Sequence, residues 1–203
     1  TEGAALALAA GFHGASQSEG PSSCIYLQNS GLGNIFNPLL SLAHKEVYSV
    51  PTLIFVGWRG DPFDYNIRDE PQHKVQGRYM LEMIRSVGYD FFILPKDSDE
   101  SAKETITEAY NLSKEKQQPI FVIVKANTFN KNVNKNNYKL PDTSHLLTRR
   151  DALSIAHKLT KDFKARVGTT GKLSRELYEI AKEESGISKD FLMVGSMVHV
   201  LSL

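Results

Sequence analysis

Tyr26-Leu-Gln-Asn-Ser-Gly-Leu-Gly-Asn34 is the stretch on which the fold turns. Ahead of it, Cys24 to Leu27 has the length and the β-branched and aromatic content of a strand. Behind it, Ile35 to His44 carries apolar residues at helical spacing. Strand, glycine turn, helix is the order of a βα unit. In an open α/β sheet the turn leaving a strand's carboxyl end is where ligands bind, because glycines let backbone N–H groups approach and the next helix offers its positive N-terminus. Taken alone, Gly31 and Gly33 are equally compatible with a tight turn that holds nothing.

The rest of the chain repeats the alternation. Thr1 to Gly11 is rich in alanine and leucine and reads as a helix apolar all round, which belongs in a tight interior or an interface. Glu2 is its odd residue; an acidic side chain in a first turn also suits the helix dipole, with no further role. The abrupt start predicts a preceding strand and helix. In the helix Ile35 to His44, Pro38 is placed in the first turn, where its missing N–H costs little, and His44 reads as a surface residue. Pro51 to Val56 is a continuous apolar run, hence a strand buried on both faces. The following segment to Gln76 is a long polar loop carrying Arg59, Arg68, Asp69, Glu70, Gln72, His73 and Lys74, and loops of that length in a compact α/β domain are usually functional or disordered. Val75 to Val87 predicts a core-facing helix with Tyr79, Met80, Met83 and Ile84 inward, closed by Gly88. Phe91 to Leu94 is a third strand, Asp99 to Lys116 a helix with a charged outer face, and Pro119 to Lys125 a fourth, buried strand. The alternation predicts an open, mostly parallel sheet with right-handed crossovers flanked by helices.

Residues 127–147 are rich in Asn and Lys, with almost no apolar pattern over Asn127 to Tyr138, and read as a linker. A second domain is expected from Thr148, whose capping side chain precedes Asp151 and an apolar run through Leu153, Ile155, Ala156 and Leu159. Thr169-Thr-Gly-Lys172 and the helix Ser174 to Glu184 repeat the turn-to-helix junction that can hold an anion.

Composition bounds the function. The net charge of +1 over 203 residues argues against sequence-independent nucleic-acid binding, which needs a basic face. One cysteine, Cys24, excludes an intrachain disulfide and fits a reducing, cytoplasmic compartment; in a strand it is expected to pack in the core. No run approaches the ~20 apolar residues of a bilayer span, and residues 4–10 lack the basic flank of a signal peptide.

Three blocks carry a more specific resemblance: Gln28-Asn-Ser-Gly-Leu-Gly-Asn34, Pro51-Thr-Leu-Ile-Phe-Val-Gly-Trp-Arg-Gly60, and Asp69-Glu-Pro-Gln-His73 with Gln76-Gly77. In this order they resemble the thiamine diphosphate-dependent phosphonopyruvate decarboxylases and the related sulfopyruvate decarboxylases. The resemblance resumes at Thr169 to Leu177 and at Asp190-Phe-Leu-Met-Val-Gly-Ser-Met197. It implies the thiamine diphosphate-binding α/β fold, with residues 1–126 as the pyrimidine-binding domain lacking its first strand, 127–147 as linker and 148–203 as the incomplete start of the diphosphate-binding domain. It implies that Glu2 touches the cofactor's aminopyrimidine ring, that Asn29, Gly31, Gly33 and Asn34 line the cofactor, that Gln72 and His73 are polar or acid/base groups of the active site, and that Thr170, Gly171 and Lys172 approach the diphosphate. A carboxyl group on the ring nitrogen favours the imino tautomer that lets the cofactor's own amino group take a proton. Alanine and leucine neighbours are expected to desolvate Glu2 and raise its pKa. Arg59, Arg68 or Lys74 are candidates to meet the anionic head of a 2-oxo acid.

The implied reaction converts phosphonopyruvate to phosphonoacetaldehyde and CO2, in a homodimer or tetramer with active sites between subunits. Alternatives are a sulfopyruvate decarboxylase subunit or a catalytically silent remnant or regulatory fragment. The family's Gly-Asp-Gly and later Asn, which hold Mg2+, are not in this sequence, and no other metal cluster is read here. Val198 also stands where the family has glycine, so the chain is expected to be a fragment or split product.

Overall fold

The computed structural model describes residues 1–65, 69–129, 142, 144–164, 166–168, 171–185 and 190–192. The chain separates into two compact units, Thr1–Val133 and Asn134–Leu203. Most of the expected linker, 130–141 and 143, lies outside the described residues, as do Gly195 to Leu203.

The first unit runs α1 (Glu2–Ser16), β1 (Cys24–Gln28), a 3-10 turn (Asn29–Gly31), α2 (Leu32–Pro38), a π turn (Leu39–Ala43), β2 (Leu53–Gly57), α3 (Pro71–Ser86), β3 (Phe91–Ile93), α4 (Asp99–Lys116) and β4 (Ile120–Val124). All four strands are parallel, in the order β1-β2-β4-β3, with Ile25 opposite Ile54 and Ile54 opposite Phe121. This is the open α/β sheet that the alternating pattern predicts.

Side chains of β2 and β4 alternate between two cores. Ile54, Val56, Phe121 and Ile123 join Leu6, Ile35, Leu39, Met80 and Ile84 from α1, α2, the π turn and α3, while Leu53, Phe55, Ile120 and Val122 pack with Leu94 and Ala109 beside α4. Burial on both faces is why these strands read as unbroken apolar runs. Edge strand β1 differs, because α4 packs on β2, β3 and β4. Ile25 is buried, whereas Tyr26 stays 75% exposed and stacks on Phe55 at 5.0 Å. Cys24, on that same uncovered face, is exposed and not in the core. The expectation that it packs internally fails for want of a helix over that face of β1.

Two helix boundaries also differ from the sequence reading. α2 begins at Leu32, directly after Gly31, so Pro38 falls at its end instead of in its first turn, and the chain leaves through the wide turn Leu39–Ala43. There the buried Tyr89 hydroxyl donates to the Leu39 carbonyl at 2.7 Å, and burial pushes this phenol up to about 12, so it remains a donor throughout the neutral range. α3 begins at Pro71, not Val75, since proline is preorganised for the first helical position and Glu70 caps in an extended conformation. Its register buries Gly77, Met80 and Ile84 and leaves Met83 and Tyr79 38% and 46% exposed, so these two are not core residues as expected.

In the second unit α5 (Arg149–Leu159) opens with a complete capping box between Thr148 and Asp151, and α6 (Lys172–Ser185) follows β5 (Val167–Gly168), which pairs in parallel with β6 (Phe191–Leu192). Arg149 and Arg150 on α5 pair with Glu176 and Glu183 on α6. Arg166 forks onto the buried Asp190 at 2.5 and 3.1 Å and also meets His157 Nδ1 at 2.6 Å. Among the described residues no helix is long and apolar enough to cross a membrane.

Candidate active site

The carboxyl ends of parallel strands, with the helix N-termini that follow them, form the edge where an α/β sheet binds ligands. Glu2, the first residue of α1, reaches this edge beneath the turn leaving β1. Asn34 Nδ2 donates to Glu2 Oε2 at 2.9 Å. A Cβ placed on Gly31 would lie 2.5 Å from Glu2 Cγ and 2.7 Å from its Oε1, so only glycine lets the carboxylate pass this close to the turn. A Cβ on Gly3 would stand 2.8 Å from the Asn34 carbonyl oxygen, a second tight approach between α1 and α2. Glu2, Gly31 and Asn34, separated by about 30 residues in sequence, therefore converge. Gly33 faces open space.

The electrostatics of Glu2 differ from expectation. Its carboxyl is held below the usual carboxylate range, chiefly by the Asn34 amide, then by its own backbone N–H, and burial opposes this only in part. The alanines around it do not enclose it: Ala4, Ala7 and Leu8 are exposed, and Leu6 and Ala9 turn inward. Desolvation is thus too weak to raise the pKa.

Asn29 is buried, and both ends of its side chain are committed to the backbone of the neighbouring loop. Nδ2 donates to the Arg59 carbonyl at 2.8 Å and Oδ1 accepts from the Arg59 N–H at 3.1 Å. It pins the β1 turn to the turn leaving β2. Arg59 in turn pairs through its guanidinium with Asp69, which also accepts from the backbone N–H groups of Gly60 and Glu70 at 3.0 and 2.8 Å. Arg59 is thus engaged in an ion pair that joins positions 59 and 69.

Burial raises the Asp69 carboxyl, but the Arg59 and Glu70 hydrogen bonds together outweigh it and leave the group below its ordinary value. A carboxyl depressed in the folded state contributes stability above its unfolded pKa, and that contribution is lost as the pH falls through the folded value. Acidification below about pH 4 should therefore release this loop. Amide exchange at Gly60 and Glu70 should rise there in the native chain. An Asp69→Asn variant, whose side chain does not titrate, should show no such pH dependence; identical acid profiles would remove Asp69 from this role.

Below the loop, α3 is docked through two glycines. Gly60, at φ +68°, would put a Cβ 2.0 Å from the His73 carbonyl oxygen, and Gly77 would put one 2.1 Å from that of Gly60. Trp58 Nε1 donates to the Gly77 carbonyl at 2.9 Å. Gln72, His73 and Lys74 consequently stand in the first turn of α3 and not in a loop, and His73 Nδ1 is buried without a hydrogen-bond partner among the described residues. Lys74 and Arg78, one turn apart, line a cavity of about 270 Å³ with Asp61, Asp64, Tyr65 and Asp69. Arg78 was not singled out from sequence; its i, i+4 relation to Lys74 becomes a signal only once the helix is known to start at Pro71. Lys125 at the end of β4 meets Asp61 at 2.9 Å and lies 5.2 Å from the Trp58 ring centroid.

Arg68 and Thr170 lie outside the described residues. In the second unit Gly171, at φ +132°, and Lys172, the first residue of α6, are exposed. Among the described residues no three His, Cys, Asp or Glu side chains converge as a metal-binding group.

No family model matches the chain. It is 31% identical over 208 aligned residues, covering 97% of its length, to a phosphonopyruvate decarboxylase of Streptomyces viridochromogenes. Over 98 residues, 48% of the chain, it is 39% identical to a phosphonopyruvate decarboxylase of Streptomyces hygroscopicus. Over 108 residues, 53% of the chain, it is 31% identical to a sulfopyruvate decarboxylase subunit alpha of Methanococcus maripaludis, and covers 59% of that subunit. The chain spans 49% of the first of these relatives and 22% of the second. The similarity thus runs through nearly the whole length of the chain, and all three relatives are phosphonopyruvate or sulfopyruvate decarboxylases.

Proposed function

We propose that the chain contributes the pyrimidine-binding half of a thiamine diphosphate-dependent 2-oxo acid decarboxylase acting on phosphonopyruvate. The observation that carries this reading is the convergence of Glu2, Gly31 and Asn34 at the carboxyl end of β1, where a carboxylate is exposed enough to meet a ligand and is oriented by a partner. These residues fit the aminopyrimidine end of thiamine: a hydrogen-bonding carboxyl group, a glycine turn that lets a ring approach, and open space at Gly33. When bound, the cofactor supplies the electron sink that receives the pair left behind as CO2 departs. Glu2 would hold the ring nitrogen by a hydrogen bond and relay its proton, and His73 would supply a polar or acid/base group.

With Arg59 taken by Asp69, Lys74 and Arg78 are the cations we assign to the phosphonate, as charge-assisted donors. A magnesium ion needs several oxygen ligands at once, which the described residues do not bring together, so the reading rests on the pyrimidine end alone. Gly171 and Lys172, with Thr170, are assigned to the diphosphate because a turn entering a helix N-terminus favours anions. The working form is a cytoplasmic homo-oligomer: Leu8 and Phe12, 76% and 56% exposed on α1, give it an apolar face to bury against another subunit.

The test is decarboxylation of phosphonopyruvate with thiamine diphosphate and Mg2+, by the chain alone and after assembly with the diphosphate-binding domain of a relative. Sulfopyruvate and pyruvate serve as competing substrates. Turnover of phosphonopyruvate by the assembly is expected, with tight cofactor binding absent from the chain alone. A preference for sulfopyruvate would move the chain to the other branch of the family, and no turnover of either acid would defeat the reading.

A further inference from the structure

We propose that Asn34 is a positioning residue for Glu2: its side-chain amide holds one carboxylate oxygen and so presents the other, in a single orientation, against the Gly31 turn. The inference rests on the reading of Glu2 as the carboxylate that meets the cofactor. Glu2 has three side-chain torsions, and at an exposed helix start nothing intrinsic selects among them. Three contacts do so here. Asn34 Nδ2 meets Oε2 at 2.9 Å, Gly31 closes against Cγ, Cδ and Oε1, and Gly3 lets the α1 backbone approach the Asn34 carbonyl. Asn34 itself stands in the first turn of α2, whose Leu32 and Ile35 are buried, so the donor is anchored to a helix and not to a loop.

The residue type also matters. A carboxyl group that relays a proton alternates between an acceptor-only and a donor form. An amide carries both an N–H donor and a carbonyl acceptor, so by turning about its last torsion Asn34 can serve Glu2 in either state. A lysine would lock the carboxylate in its charged form, and an alanine would leave it unheld. Displacing a catalytic group by about 1 Å can cost on the order of 10²-fold in rate, which is the scale at stake.

The first measurement needs no cofactor. In the 203-residue chain labelled with 13C at the glutamate carboxyl carbons, the Glu2 signal is assigned by its loss in Glu2→Gln and followed against pH. Asn34→Ala should move its midpoint upward, and Asn34→Asp should move it further, because a like charge replaces the donor. The amide spectrum should change only near α1 and α2 if the fold is intact. The second measurement is hydrogen exchange at thiamine C2 in the assembled enzyme. Asn34→Ala alone should slow it by about 10- to 10²-fold, and in the Glu2→Gln background it should add nothing. An unchanged Glu2 midpoint in Asn34→Ala overturns the inference. So does equal slowing in both backgrounds, which would mean that Asn34 touches the cofactor itself. If Glu2→Gln alone leaves exchange untouched, the functional reading of Glu2 fails, while the titration still decides whether Asn34 governs that carboxylate.

Discussion

Glu2→Gln in the assembled enzyme is expected to slow proton exchange at thiamine C2 by on the order of 10²-fold or more, the scale of general acid/base catalysis. The substitution keeps the shape of the side chain and a hydrogen-bonding group beside Gly31, and it removes the exchangeable carboxylic proton. Cofactor affinity should change far less, since metal and diphosphate contacts carry most of it. Exchange followed by NMR after a deuterium pulse separates the two effects. The Asn34 contact lowers the carboxyl pKa of the free chain, so Glu2 stands as a carboxylate at neutral pH. An exchange rate equal to that of the native enzyme would show that the catalytic carboxylate lies elsewhere.

Gly77→Ala should be among the most damaging small substitutions in the first unit. Within a helix this change ordinarily gains about 1 kcal/mol. Here the new methyl would lie 2.1 Å from the Gly60 carbonyl oxygen and 2.3 Å from that of Arg59, and backbone atoms cannot rotate away as a side chain could. Overpacking costs about 1–3 kcal/mol, occasionally more, and relieving it would also move the carbonyl that accepts the Trp58 indole N–H. A net loss of about 2 kcal/mol, the upper end of that cost less the helix gain, is expected, a fall in Tm of roughly 4–8 °C for a chain of this size. Gly33→Ala, in α2, meets nothing within 4 Å and should melt no lower than the native chain. Circular dichroism melts of the two variants decide the matter, and a Gly77→Ala curve superposed on the native one would refute the docking role given to that glycine.

The parts of the fold legible in the sequence were those whose cause is local. β2 and β4 are covered on both faces, so their apolar runs need no knowledge of neighbours to be read. α4 carries its own start signal, Ser98, whose hydroxyl accepts from the Ser101 N–H, and its predicted span Asp99–Lys116 is the one observed. Where the cause is tertiary, the sequence was ambiguous. Pro71 can end a loop or begin a helix, and only the docking of Gly77 against Gly60 selects the second. Cys24 lies in a strand as predicted, but whether a strand residue is buried depends on which helices cover the sheet. At the site, Glu2 and Asn34 were each picked out by resemblance, yet their contact across 32 positions was not readable, and with it went the direction of the Glu2 pKa. The Arg59 ion pair was unreadable for the same reason. Its partner Asp69 sits ten residues on, in a loop whose closure no periodicity announces.

The strand order β1-β2-β4-β3 has a consequence for synthesis on the ribosome. β1 and β2 can pair as soon as both have left the exit tunnel, because they are neighbours in the sheet. β3 cannot. Among the described residues its only strand partner is β4, which emerges about 30 residues later, after α4. At 5–20 residues per second the nascent chain spends roughly 2 to 6 s with Phe91, Phe92 and Ile93 unpaired and the edge of β2 open. That interval is when a chaperone, or another nascent chain of the same kind, has access to surfaces that the finished sheet closes.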